Sequence, residues 1–513
     1  FDIDYSKLGF GTPVNGDQIY YYVVTQDQAT TPNIWCNPFV GASHGDVNTQ
    51  TTPPTTPNSY YIATGISGTY TIGIGETYTS FTRDEAGGFF KFLNNIDGIT
   101  SVIDGPITAI VVSDISNENG AVALGSLKSD ELGPHLITIS PDGTIVRELY
   151  CPSGTYAGDA NKGLFTFSGA SNLVIDGSYN GEGKYLSLDN RHAGSGRNCV
   201  YFENDAHDIT IKNCYIKAVS FADYSKFYAD VYFGNGLTTG NYNITIDNND
   251  IGNGSYVNSR VYSNNTIANT FNRDINITNN NIFNFADGYN WTVDYGVAVT
   301  TTGNGSNWNI SGNSFYITGV CSGSAQTAIY FVPGTSSTGN IIDGNFIGGG
   351  SPECGPGTVN TYWCNNNAYE GYGIHANCGD VDITNNTIKN IRYTGGDKSG
   401  FTCVYIPSGN TVANISGNTF GDLNDGEKRI QALGGGVSFE YNYGNVFGIK
   451  HWGSGDVIID NNIFSYLVAN GGCSYCMGSY VRVIEKTNSG TATITNNVIS
   501  MCQGAGYNAD SYA

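Results

Sequence analysis

Charge is scarce in this chain of 513 residues. Charged side chains make up 13% of it, about half the usual share of roughly 25%. Basic ones are the scarcer, 22 Lys and Arg against 44 Asp and Glu, for a net charge of −22. A surface of that sign repels phosphate backbones and offers no counterion release, which excludes nucleic acid as a partner. It also disfavours anionic polysaccharides unless divalent cations bridge the two. No apolar run approaches the roughly 18 residues that a membrane span needs.

What the chain has instead is a vocabulary of strands and turns. Gly, at 69 residues, has roughly twice its average usage, and Tyr, at 36, is joined by abundant Thr, Asn, Ile and Val. A chain this long exceeds one ordinary core, so it holds several domains or one elongated repeat.

A six-residue frame, apolar-x-Asn/Gly-Asn-x-apolar, decides between these. It occurs as Ile246-Asp-Asn-Asn-Asp-Ile251, Ile277-Thr-Asn-Asn-Asn-Ile282, Ile310-Ser-Gly-Asn-Ser-Phe315 and Ile342-Asp-Gly-Asn-Phe-Ile347. It continues at Ile383, Ile415, Ile459 and Ile494, with an earlier copy at Ile211. The mean spacing from 211 to 494 is about 35 residues, as expected when loops of varying length interrupt one unit. Some ten residues before most frames lies a second strand-like run, such as Val200-Tyr-Phe202, Ile329-Tyr-Phe331 and Val404-Tyr-Ile406. No helical period separates the two. The spacing predicts an all-β parallel β-helix of about ten turns, one per repeat, with turns ~4.8 Å apart.

The fourth frame position predicts a ladder of Asn249, Asn280, Asn313, Asn345, Asn386, Asn418, Asn462 and Asn497. Asn tolerates a left-handed corner, and stacked amides can bond along the axis. Cys214 replaces Asn in the first copy and reads as a small buried residue.

Upstream, TQTTPPTTP at 49–57 reads as a linker. It divides the chain into a β segment or docking module at 1–48, a linker at 49–58, a cap at 59–104 and the β-helix at 105–513. Thr82-Arg-Asp-Glu85 matches a capping box, so residues 82–94 are expected as an amphipathic helix closing the coil. Phe1, where Met would stand, reads as a chain already freed of its leader.

SGTYTIG (67–73), FSGASNLVIDGSYNGEGKYLSL (167–188) and the repeats NITNNNIFNF, WNISGNSFY and VDITNNTIKNI resemble β-helix segments of large secreted bacterial surface proteins exported by the type IX route. The resemblance covers roughly residues 60–500 and implies a right-handed coil used as stalk or adhesin. It implies no catalytic residue. Expected partners are further domains or copies of the same surface protein, in a homo-oligomer or filament, and surface glycans.

Two other readings stay open: a polysaccharide lyase or glycoside hydrolase, and a tailspike-like trimer that binds or cleaves glycans. The Asp-Asp and Gly-His-Gly signatures of pectin hydrolases are missing, and the nearest His motif is Ser43-His44-Gly45. Basic candidates are Arg191, His192 and Arg197, and Lys450 and His451 near Asp456 and Asp460. No cofactor is expected beyond structural calcium at Asp247, Asn249 and Asp250, or at Asp422, Asn424 and Asp425; both lack the distal Glu of an EF-hand. Trp291, Trp308, Trp363 and Trp452 fall in or near inter-strand loops, where aromatic rims can stack on sugars. Cys354, Cys364, Cys378, Cys473 and Cys476 are the candidates for disulfides.

Overall fold

Each frame folds as two strands and the corner between them. The computed structural model describes residues 4–7, 11–38, 47, 53–158, 162–192, 198–218, 228–252, 259–267, 269–285, 293–300, 303–319, 325–359, 361–366, 369–394, 400–434, 444–471, 479–505 and 511–512. These divide into two compact units, one of residues 1–68, 94–107 and 127–136, the other of residues 69–93, 108–126 and 137–513.

The larger unit is a parallel β-helix. Two of its sheets are eleven strands deep, and eleven of the thirteen strands of a third lie wholly in this unit, from Ile137–Pro141 to Ala492–Thr495. One coil serves as the pattern. Arg273–Thr278 lies in the first sheet, Asn281–Phe283 in the second and Val293–Val299 in the third, and the chain returns to the first at Asn309–Ser311. Each strand pairs in parallel with its equivalent one coil on, as Ile277 does with Ile310 and Ile282 with Phe315. The strand-like runs upstream of the frames are the third sheet: Val297 pairs with Ile329, and Val404 with Ile449. A fourth sheet of five short strands joins from Trp363–Asn365 onward.

The frame works because its two ends point inward across the corner. Ile277, Ile282, Ile310 and Phe315 are all fully buried, and each such side chain contributes about 1.5–3 kcal/mol. The corner narrows the expectation, since Asn and Gly suit a left-handed backbone at the third frame position as well as at the fourth. The left-handed residue is the third of the frame, Asn279 at φ 56° and Gly312 at φ 67°, while the ladder asparagines are absent from the positive-φ residues. The two roles are split between adjacent positions, because turning the backbone and aiming an amide inward need different dihedrals.

The N-terminal closure differs from expectation. The helix is only six residues, Phe89–Asn94. Gly88 sits where a Cβ would lie 2.1 Å from the Arg83 carbonyl, so residues 82–88 form a tight loop rather than a first turn. Thr82 caps nothing: its hydroxyl donates to Glu118 at 2.5 Å. The helix closes the coil with aromatics. Phe90 meets Phe167, and Phe167, Phe202 and Phe233 stack on successive coils at 5.5 and 5.1 Å.

The linker reading is corrected too. Asn58–Tyr61 pairs antiparallel with Gln18–Tyr21, so the segments before and after the Thr/Pro stretch belong to one compact unit. At the other end, Ile494 and Ile499 hold inward frame positions yet are half exposed, because no coil is stacked on the last described frame.

Candidate functional site

The ladder runs unbroken from Cys214 to Asn497. Each asparagine donates its backbone N–H and one amide hydrogen to the side-chain oxygen of the next. Asn280 does this to Asn313 at 3.0 Å for both bonds. Its other amide hydrogen goes to the Ile246 carbonyl of the preceding coil at 2.8 Å. The pattern repeats through Asn345, Asn386, Asn418 and Asn462. Cys214 starts it, with its N–H on Asn249 at 2.9 Å and its thiol buried. Every ladder amide before Asn497 is essentially inaccessible, so its polar groups depend on one another.

A second ladder was not anticipated. Asn241 donates its N–H and an amide hydrogen to Asn272 at 3.1 and 2.9 Å, at the corner where the third sheet returns to the first. Asn304 continues it through Ser263. Asn241 and Asn272 both stand five residues before a frame, a signal that Asn304 breaks by one residue.

The tryptophans part company. Trp308 is an interior residue whose ring meets Phe233 and whose indole N–H reaches the Asn272 carbonyl at 3.2 Å. It lies two residues before Ile310 and so shares its inward face. Trp363 is likewise buried, between Phe285 and Phe401. Neither can form a rim. Trp291 lies outside the described residues. Trp452 alone of the four lies at the surface within the described chain, half-buried, its indole N–H on Glu485 at 3.2 Å.

Trp452 belongs to an aromatic strip on the outer face of the third sheet. Tyr201, Tyr232 and Tyr262 follow one another at 5.1 Å, and further along Tyr330, His375 and Tyr405 at 4.9 and 5.0 Å. Burial among these rings pushes His375 down to about 4. Lys450 ends the run, its ammonium 4.1 Å from the Trp452 ring centre and 4.3 Å from that of Phe447. Burial lowers its pKa, against the pull of Glu370 and Glu485. His451, next in sequence, faces the interior. Arg191 lies over Tyr150 and is tied to Asp189 and Glu148 at 2.8 and 2.7 Å. His192 accepts the Gly154 N–H, Asp456 that of Thr491, and Asp460 is bound by Thr495 and Asn496; Arg197 and His44 lie outside the described residues.

Each carboxylate weighed for calcium accepts at least one protein donor. Asp247 receives Thr278 and Asn279 at 2.7 and 2.9 Å, Asp250 receives Lys184 and Asn281, and Asn249 is a ladder member. Asp422 is paired with Lys389 and accepts the Asn424 N–H, and Asp425 accepts the Glu427 N–H. Among the described residues no three His, Cys, Asp or Glu side chains gather as a metal site. Of the cysteines, Cys364 is disulfide-bonded; Cys354 and Cys378 are buried free thiols, which corrects their assignment as staples. Both are buried, where the role of a small apolar side chain suffices. Cys473 and Cys476 lie outside the described residues.

Comparison of the chain with family models, curated proteins and solved structures finds no match in any of the three. No helix among the described residues is long and apolar enough to cross a membrane.

Proposed function

We propose that the chain is a secreted structural or adhesive surface protein, its β-helix a stiff rod that serves as stalk, adhesin or filament subunit. One observation carries this: the amide ladder crosses every coil from Cys214 to Asn497 without interruption. Each coil is bonded to its neighbours at the same point, so length is added without adding hinges. The nine coils that the ladder joins, at ~4.8 Å each, give about 40 Å of such scaffold. The test is to incubate the purified chain with a panel of polysaccharides, with and without calcium. Polymers left intact support the reading, and release of reducing or unsaturated ends would sink it. Light scattering at rising concentration separates a filament subunit, which self-associates, from a monomeric stalk.

A glycan-cleaving enzyme is favoured by one feature. An open cleft of about 450 Å³ on the outer face of the first sheet is lined by Asp380, Asp382 and Asp456 around Val412 and Ile458. Asp380 lies across from Val412, and Asp456, just before the Val457 that adjoins Ala413 on the next coil, stands two coils from it. Their backbones are thus roughly 9.6 Å apart, a span from which the two side chains can reach the roughly 6.5–9.5 Å carboxyl separation of inverting glycosidases. Any depolymerisation that Asp456→Asn abolishes would establish it.

A further inference from the structure

The smaller unit holds a cleft that the rod reading leaves without a role. Its volume is about 1120 Å³, and Tyr5, Tyr21, Tyr22, Tyr60 and Tyr61 line it. A strand alternates its faces, so successive tyrosines at 20–22 and 60–61 put rings on both sides of a two-stranded sheet, where burying one side would need only every second residue. Tyr21 and Tyr61 are both 41% exposed. The rings are nevertheless arranged. Tyr21 and Tyr60 lie 5.9 Å apart at 58°, and the hydroxyls of Tyr5 and Tyr60 bond at 3.1 Å. Burial and the Tyr5 hydroxyl push Tyr60 up to about 12.

We infer that this tyrosine cleft binds a neutral oligosaccharide. The ligand class follows from the lining. Aromatic rings give flat apolar surface for the C–H faces of sugars, while phenol hydroxyls, Ser59 and Ser129 can exchange hydrogen bonds with sugar hydroxyls. Among the described residues the ionic groups lining the cleft are Asp130 and Glu131, with no Lys, Arg or His. Uronates, sulfated sugars and phosphates would therefore meet only like charge, whereas a neutral sugar finds acceptors. On Asp130 the bonds from His135 and Leu132 both fall on Oδ1. An apolar peptide or lipid would require aliphatic walls, and here Val23, Val102 and Ala63 are the minority. The volume exceeds the roughly 300–1,000 Å³ of pockets for drug-sized molecules, which suits several linked sugars.

The inference concerns the first unit and does not rest on the rod reading of the second. It is tested by titrating the full chain with neutral oligosaccharides of gluco, manno, galacto and xylo type, followed by calorimetry. Oligouronates and a Lys/Arg-rich peptide are the comparison ligands. At least one neutral oligosaccharide is expected to bind at micromolar to millimolar concentration, with oligouronates silent. Tyr21→Ala should weaken it about fivefold to tenfold, with the thermal midpoint and circular dichroism unchanged, since this side chain is at the surface. Tyr60→Phe should weaken binding less, as it keeps the ring. No binding by any neutral sugar at millimolar concentration overturns the inference. So does binding by the cationic peptide alone, or glycan binding that the Tyr21 variant leaves unchanged.

Discussion

The side-chain oxygen of Asn313 accepts two hydrogens from Asn280, one from its backbone and one from its amide, both at 3.0 Å. Its own amide donates back to the Ile277 carbonyl at 2.8 Å. Asn313→Ala removes one acceptor from two buried donors and one donor from a buried carbonyl. Each orphaned group costs about 1–3 kcal/mol, so a total of at least about 3 kcal/mol is expected, measured as a lower urea midpoint. Asn497→Ala should cost clearly less, because Asn497 is half-buried and water can replace it.

Gly417 and Gly344 hold the same frame position with similar φ, 68° and 61°. A Cβ at Gly417 would stand 2.6 Å from the Asn385 side-chain oxygen, while at Gly344 the nearest atom is 4.0 Å away. Gly344→Ala therefore carries only the left-handed penalty, about 1–2 kcal/mol. Gly417→Ala carries that and a clash that Asn385 can relieve only by leaving Asp343, to which its amide donates at 2.8 Å. The urea midpoint should fall further for Gly417→Ala; equal losses would refute the pairing of Asn on one coil with Gly on the next.

The coil was legible because one spacing reports two constraints together. An inward apolar residue on each side of a corner leaves four positions between them, and the chain repeats that interval nine times over. Trp308 was misread although its parity with Ile310 was in plain view, since nearness to a loop was weighed above the alternation of faces. Trp363 gave no such warning: its strand belongs to a sheet that begins inside an insertion, where no frame applies. The fourth-position asparagines were legible, but the left-handed role was shared between the third and fourth positions, because Asn suits both and composition cannot tell them apart. The tyrosine cleft was out of reach. Its walls pair residues 18–21 with 58–61, and nothing periodic links segments that far apart.

His375 should make the fold acid-sensitive in a defined window. Burial between Tyr330, Tyr372 and Tyr405 holds it neutral and lowers its pKa to about 4, against about 6.5 for an unfolded histidine. The unfolded chain therefore takes up the proton first as pH falls. The stability His375 contributes is complete above about pH 6.5 and is lost progressively down to about pH 4, up to about 3 kcal/mol. Thermal midpoints measured from pH 7 to pH 4 should fall less for His375→Phe than for the parent. Parallel curves would show that the ring is not held neutral by its neighbours.

Glu118 is the anchor of the N-terminal closure. Fully buried, it accepts the Phe81 and Thr82 N–H groups at 2.7 and 2.8 Å and the Thr82 hydroxyl at 2.5 Å. The same hydroxyl oxygen accepts the N–H groups of Asn119 and Gly120 at 3.1 and 3.0 Å. Burial raises the Glu118 pKa even so. A raised acid favours folding most below its unfolded value of about 4.3 and loses that contribution as pH climbs through the folded value. Thr82→Val deprives the carboxylate of one donor and two N–H groups of their acceptor, at a cost of about 2–4 kcal/mol. Because these bonds join residues 81–82 to residues 118–120, the loss should be regional. Hydrogen exchange should quicken across residues 80–93 and 115–122 while amides of the ladder coils keep their protection. Uniform acceleration along the whole coil would mean instead that the closure and the stack unfold as one cooperative unit.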